Sequence, residues 1–126
     1  MPSQCYGKVV DWDSPNLFRY VGESEFHFIR TNGYVKSINT KGTYWTTLLT
    51  EDPECAKELL ALNREVRYRV AGPLKSVLSL LGPGDYEVNL IKPQELGFSR
   101  HVIEIVIRRP LPPASIFDML GRSLVT

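Results

Sequence analysis

Histidine and cysteine are both scarce in this chain, two of each in 126 residues. Cys5 and Cys55 are too few to define a disulfide scaffold, and no second Cys or His stands at zinc-ligand spacing to either. With His27 and His101 the only histidines, a metal centre or a Cys–His nucleophile pair is poorly supplied. An excess of one charge sign is also lacking. Fifteen Lys and Arg against 14 Asp and Glu leave a net charge of +1, which gives no general pull toward nucleic acid or an anionic membrane. No apolar run approaches the roughly 18 residues needed to span a bilayer. The segment Met1–Cys5 carries neither the basic nor the apolar region of a signal peptide. What is present is 43% hydrophobic residues, enough at this length for one domain, 1–126, with its own core. The sparse cysteines point to a soluble domain working in a reducing compartment.

Local pattern divides the chain into short elements without a repeat or a linker. Two strands are predicted within residues 6–21, the second over Asn16–Val21 after a turn at Asp13–Pro15. A helix follows over Glu23–Thr31, with Gly22 as N-cap, Glu25 three residues on and Asn32–Gly33 as a left-handed stop. Thr43–Thr47 is aromatic and β-branched, hence a strand. Asp52 caps the clearest helix, Pro53 fills its first turn, and Ala56, Leu59, Leu60 and Asn63 line one side. Val66, Tyr68 and Val70 alternate as a half-exposed strand, and Leu74, Val77, Leu78 and Leu81 have helical spacing. Tyr86–Ile91 is a further strand, a loop runs from Lys92 to Arg100, and a short apolar helix is expected around Ile116–Leu120. The sum is a single α+β domain with five or six mostly antiparallel strands.

Three features carry chemistry. Glu104 interrupts the apolar run His101–Arg108, where alternation sets it beside Val102 and Val106; a carboxylate there needs a partner, a ligand or water. Arg19 lies in a strand between Phe18 and Tyr20, and its planar fork of donors suits phosphates and carboxylates; the simpler alternative is a structural pair with Glu23 or Glu25. In Thr43–Thr47, Tyr44 and Trp45 point to opposite faces, so one of them can face a cleft, and Thr46 or Thr47 can hydrogen-bond a polar ligand. A cation for a pyrophosphate, a ring to stack on and one carboxylate beside a sugar together suit cleavage of an N-glycosidic bond. A fixed carboxylate stabilises the oxocarbenium ion of that reaction.

Three stretches in this order resemble a known family. The first is Arg19-Tyr-Val-Gly-Glu-Ser-Glu-Phe26 with Thr31-Asn-Gly33, similar to an opening Arg-aromatic-Val, acidic helix and Thr-Gly turn. The second is Gly42-Thr-Tyr-Trp-Thr-Thr47 with Leu59-Leu-Ala-Leu62, similar to an aromatic-x-Thr strand and a helix ending in Leu-Ala-Leu. The third is Glu104-Ile-Val-Ile-Arg-Arg-Pro-Leu111, similar to a closing Glu-Val-x-Val-x-x-Pro-Ile. Together they resemble the small ADP-ribosyltransferase toxin domains of bacterial polymorphic (Rhs-type) toxins, in the branch that includes a type VI secretion effector modifying elongation factor Tu.

The resemblance implies a split, mostly antiparallel sheet and NAD as co-substrate. It implies Glu104 as the catalytic residue, Arg19 on the phosphates or nicotinamide-side ribose, and Tyr44, Thr46 and Thr47 around the nicotinamide, with Tyr20 able to stack on it. Glu87, in a similar acidic context, is the rival for the catalytic role. Arginine-specific relatives carry a second Glu or Gln two residues before the catalytic one; here that position is Val102, so the motif does not support an arginine acceptor. The implied partners are a protein or nucleic-acid target in an intoxicated cell and a cognate immunity or antitoxin protein, with no membrane. The implied site of action is the cytoplasm, reached by a stand-alone toxin or by the end of a larger delivered one.

Two alternatives use other acceptors or no chemistry. NAD glycohydrolase activity would employ the same site with water as acceptor. A non-catalytic RNA- or protein-binding module would use Arg64, Arg67, Arg69, Arg100, Arg108 and Arg109 as a basic surface with Tyr68 stacking on a base.

Overall fold

In the computed structural model, which describes residues 4–35, 42–60, 62, 64–91, 102–111 and 115–118, the alternating segments assemble into two antiparallel sheets. A 3-10 turn over Gln4–Lys8 leads into β1 (Val9–Asp11), then β2 (Asn16–Val21), α1 (Glu23–Asn32), β3 (Thr43–Thr46), β4 (Leu49–Thr50) and α2 (Pro53–Leu59). β5 (Tyr68–Pro73), α3 (Leu74–Ser79), β6 (Tyr86–Ile91), β7 (Val102–Ile107) and β8 (Ser115–Asp118) follow. β1 pairs with β4, and the other six strands form one sheet in the order β6-β7-β3-β2-β5-β8.

The capping signals act as their chemistry requires. Gly22 is the N-cap of α1, and Gly33, at φ 77°, ends the helix by donating its N–H to the Ile29 carbonyl. The Asp52 side chain accepts the Cys55 N–H at the start of α2, behind Pro53 in the first turn. Gly42, at φ 106°, opens β3; a Cβ there would lie 2.6 Å from the Ile107 carbonyl oxygen, so only glycine lets β3 start flush against β7.

Each face of the large sheet carries its own core. Leu17, Val21, Trp45, Val70, Ile105 and Ile107 cluster on one face with Phe26 and Ile29 of α1 and Val77 of α3. Phe18, Tyr20 and Ala71 on the other face meet Ala56 of α2 and Val66. Each fully buried Leu, Ile or Phe stabilises by roughly 1.5–3 kcal/mol, so the sheet is held from both sides.

Two expectations are corrected here. The C-terminal segment was expected to be helical around Ile116–Leu120, but Ser115–Asp118 is a strand, paired with β5 from Tyr68↔Asp118 to Ala71↔Ser115. β5 has β2 on one side and unpaired backbone groups on the other, and a strand satisfies them where a helix cannot. The cysteines, read as too few for a disulfide scaffold and as a sign of a reducing compartment, are joined as Cys5–Cys55, with Cα atoms 5.3 Å apart. The bridge ties the first turn to α2 above a cluster of Leu48, Leu59 and Val102. A formed bridge removes the cysteine argument for a reducing environment. Residues 92–101, 119 and 120, on which the expected loop, His101 and the end of the tail helix fall, lie outside the described residues, as do Asn63 and Thr126. No helix among the described residues is long and apolar enough to cross a membrane.

Candidate functional site

A row of directly opposed residues crosses one face of the sheet. Asn89 on β6 stands opposite Glu104 on β7, Glu104 opposite Thr46 on β3, and Thr46 opposite Phe18 on β2. Directly opposed residues share a face, so Glu104 and Thr46 project to the same side as Phe18 and Tyr20. Tyr44 lies two residues from Thr46 and joins them there. A cleft opens on this face, lined by Tyr20, Tyr44, Thr46, Arg64 and Glu104 together with Phe18, Trp45, Leu60 and Leu62. Its volume is about 270 Å³ counting the space open to solvent. Only about 20 Å³ of it is comparable with an enclosed cavity, far less than the roughly 300–1,000 Å³ of most small-molecule sites, so the cleft is a shallow groove.

The cleft exists because the sheet separates between β2 and β3. β2 pairs with β5 at six positions but with β3 at one, Phe18↔Thr46. Continuing that register would set Tyr20 opposite Tyr44. Instead two guanidinium groups take the place of ladder bonds. Arg19 Nη1 donates to the Tyr44 carbonyl at 3.2 Å, and Arg64 donates to the Tyr20 carbonyl from Nε at 3.2 Å and Nη2 at 2.9 Å. The separated strands thus keep their buried carbonyls satisfied.

The expected site residues divide under this geometry. Glu104, Tyr44, Thr46 and Tyr20 line the cleft; Arg19 and Thr47 do not. Glu104 is half-buried, and burial raises its pKa above the ordinary glutamate value, partly offset by a hydrogen bond from the Asn89 side chain. Tyr44 is 37% exposed whereas Trp45 is 2% exposed and donates its indole N–H to Thr43 Oγ1, so Tyr44 is the ring that faces solvent. Thr46 Oγ1 accepts the Leu48 N–H, and Thr47 Oγ1 donates instead to the Trp12 carbonyl. Tyr20 is a buried strut at the cleft floor. Its hydroxyl donates to the Leu48 carbonyl and accepts from the Thr50 N–H, and burial pushes its pKa up to about 12. The rival carboxylate Glu87 is exposed and pairs with Arg108 at 3.0 Å.

Arg19 takes the structural alternative. It is buried on the opposite face from Glu104 and makes a bidentate pair with Glu25 of α1, Nε to Oε2 at 2.5 Å and Nη2 to Oε1 at 2.8 Å. All three nitrogens are engaged. Arg19→Met is therefore expected to unfold at lower denaturant concentration, by about 2–3 kcal/mol; breaking a buried pair costs about 3–5 kcal/mol, and the partial exposure of Glu25 reduces the figure. Equilibrium unfolding by circular dichroism reads this directly, and an unchanged midpoint would free Arg19 from the structural role.

Sequence reasoning passed over two residues of this site. Arg64 was placed among surface arginines, and nothing in its local pattern set it apart from Arg67 or Arg69; its position just after Leu59–Leu62, whose Leu60 and Leu62 line the cleft, was the available signal. Asn89 could be placed on a strand but not opposite Glu104, because the segment joining β6 and β7 is long enough to allow several registers. The proposed basic surface is broken up: Arg67 pairs with Glu65, Arg108 with Glu87, Arg109 with Asp85, and Arg69 is buried. Arg100 lies outside the described residues. Compared with known family models, curated proteins and solved structures, the chain matches none.

Proposed function

We propose that this domain is of the ADP-ribosyltransferase type and transfers ADP-ribose from NAD to a macromolecule, releasing nicotinamide. The single observation that supports this most is the adjacency of three strands. The stretches bearing Glu104, Tyr44–Thr46 and Arg19 are far apart in the chain, yet β7, β3 and β2 are neighbours, and Glu104, Tyr44 and Thr46 line one cleft where the sheet splits.

The chemistry asked of these groups is limited. The bond from the ribose C1′ to the nicotinamide nitrogen breaks heterolytically, and its electron pair leaves with the neutral nicotinamide. Positive charge develops on C1′ and the ring oxygen, and the Glu104 carboxylate stabilises it and accepts a ribose hydroxyl hydrogen bond. The acceptor then adds to C1′ and loses its proton. Tyr44 supplies a ring against which the nicotinamide stacks.

Val102, at the place where arginine-specific relatives carry a second acid or amide, is buried. The polar neighbour of Glu104 comes from the next strand instead, as Asn89. We therefore assign no arginine acceptor. The proposed setting is toxic action in the cytoplasm of a target cell after delivery, with a macromolecular target and a neutralising immunity protein as partners, on the strength of the resemblance. The disulfide fits passage through an oxidising compartment on the way.

The deciding experiment supplies NAD labelled in the adenylate half together with bacterial lysate. The expected result is label on a macromolecule with stoichiometric nicotinamide release. Free ADP-ribose as the sole product would identify water as the acceptor, and no nicotinamide release under any acceptor would sink the proposal.

A further inference from the structure

We infer that Arg64, rather than Arg19, is the anion anchor of the cleft and takes a phosphate of the bound ligand. The inference rests on the dinucleotide reading above for the identity of that phosphate, but its structural basis is separate.

The two arginines at the strand separation differ in what they have left to offer. Arg19 is neutralised by the Glu25 carboxylate, and its Nη1 donates to the Tyr44 carbonyl. Arg64 donates twice to one neutral acceptor, the Tyr20 carbonyl, which fixes its plane without cancelling its charge. No carboxylate among the described residues comes within salt-bridge distance of it. A guanidinium has five N–H donors, so three remain after these two bonds. They belong to a side chain that lines the cleft.

A half-buried cation with no carboxylate at salt-bridge distance among the described residues is an unfavourable arrangement. Burial, with the nearby Arg19 charge, pulls its pKa below the ordinary arginine value, while Glu25 partly restores it. An entering phosphate removes the imbalance, since the free edge of a guanidinium presents parallel donors matched to two phosphate oxygens. Glu104 lines the same cleft with the opposite sign. Such a polarised cleft selects a ligand that is anionic at one end and develops positive charge at the other, as the ribosyl phosphate of a dinucleotide does when its glycosidic bond breaks.

The test compares a ligand with phosphates, ADP-ribose, against one without, nicotinamide riboside, by isothermal titration on the folded domain. Arg64→Gln keeps a donor for the Tyr20 carbonyl but loses the charge. It is expected to weaken ADP-ribose about tenfold or more while leaving nicotinamide riboside unchanged, and Arg64→Lys is expected to recover part of the loss. Loss of both ligands equally, or of neither, would overturn the assignment, the first by showing a structural role and the second by showing no role. Wild-type protein that binds neither ligand and releases no nicotinamide would remove the dinucleotide reading instead. In that case inorganic pyrophosphate is the probe: binding that Arg64→Gln abolishes keeps Arg64 as an anion anchor, and no binding ends both.

Discussion

Glu104→Gln is expected to cut nicotinamide release at least about a hundredfold without loosening the sheet, the scale seen when one group stabilising a transition-state charge is removed. Gln preserves volume and can still meet the Asn89 amide across the β6–β7 pair, so β7 keeps its register. What disappears is the negative charge that the proposed reaction sets against C1′. Binding of NAD should change far less than turnover, because the carboxylate acts mainly on charge that develops after binding. A variant that turns over NAD like wild type would remove Glu104 from the mechanism, and the exposed Glu87 would then have to be tested in the same way.

The pH dependence of the same residue has a definite sign. Burial raises the Glu104 pKa in the folded state above its ordinary value of 4.5. The folded protein therefore holds this proton more tightly than the unfolded chain does. That contribution to stability is full below pH 4.5 and is lost as pH rises through the higher folded value. At neutral pH the ionised carboxylate destabilises the fold, and Glu104→Gln should melt at a slightly higher temperature than wild type, the difference fading in acid. Turnover moves the opposite way, since it needs the ionised form; its acidic limb should lie above 4.5. A stabilised but inactive variant is the pattern of a functional strain and not of a structural carboxylate.

Much of this arrangement was legible in the chain because the signals were local. Gly33 and Asp52 end and begin helices by their own backbone and side-chain chemistry, while alternation in Tyr86–Ile91 and β-branched richness in Val102–Ile107 mark strands. The coming together of Tyr44, Thr46 and Glu104 was suggested only by the order of the stretches, and the sheet order supplies the reason, with β3 lying between β2 and β7. What escaped was everything set by a distant partner. Arg19 reads as a site residue until Glu25, one strand end and one helix turn away, is seen to occupy it. Arg64 reads as surface until the failure of the β2–β3 ladder leaves the Tyr20 carbonyl for it to bind. Ser115–Asp118 carries a pattern short enough for either helix or strand, and the open edge of β5 decides between them.

Reduction of Cys5–Cys55 is expected to have the largest effect on stability, and the least on the chemistry. The bridge closes a span of 50 residues, and the chain-entropy estimate for such a loop is about 4 kcal/mol. For a domain of this size that lowers the melting temperature by on the order of 10–15 °C, readable by calorimetry with and without reductant, or in the Cys5→Ser, Cys55→Ser double variant. The sulfurs sit over Leu48, Leu59 and Val102, a cluster that stays apolar once the bridge opens. A domain with typical stability of about 5–15 kcal/mol then remains folded at 25 °C. The cleft is a different matter from the bridge. Its walls are strands β2, β3 and β7 and the residues after α2, and neither Cys5 nor Cys55 lines it. Nicotinamide release at 25 °C should therefore survive reductant with little change while the melting temperature falls. That combination is what an enzyme stapled for transit and active in a reducing cytoplasm requires. If turnover is lost on reduction while circular dichroism shows the sheet intact, the bridge holds α2 and the cleft wall in place, and a cytoplasmic site of action falls with that result.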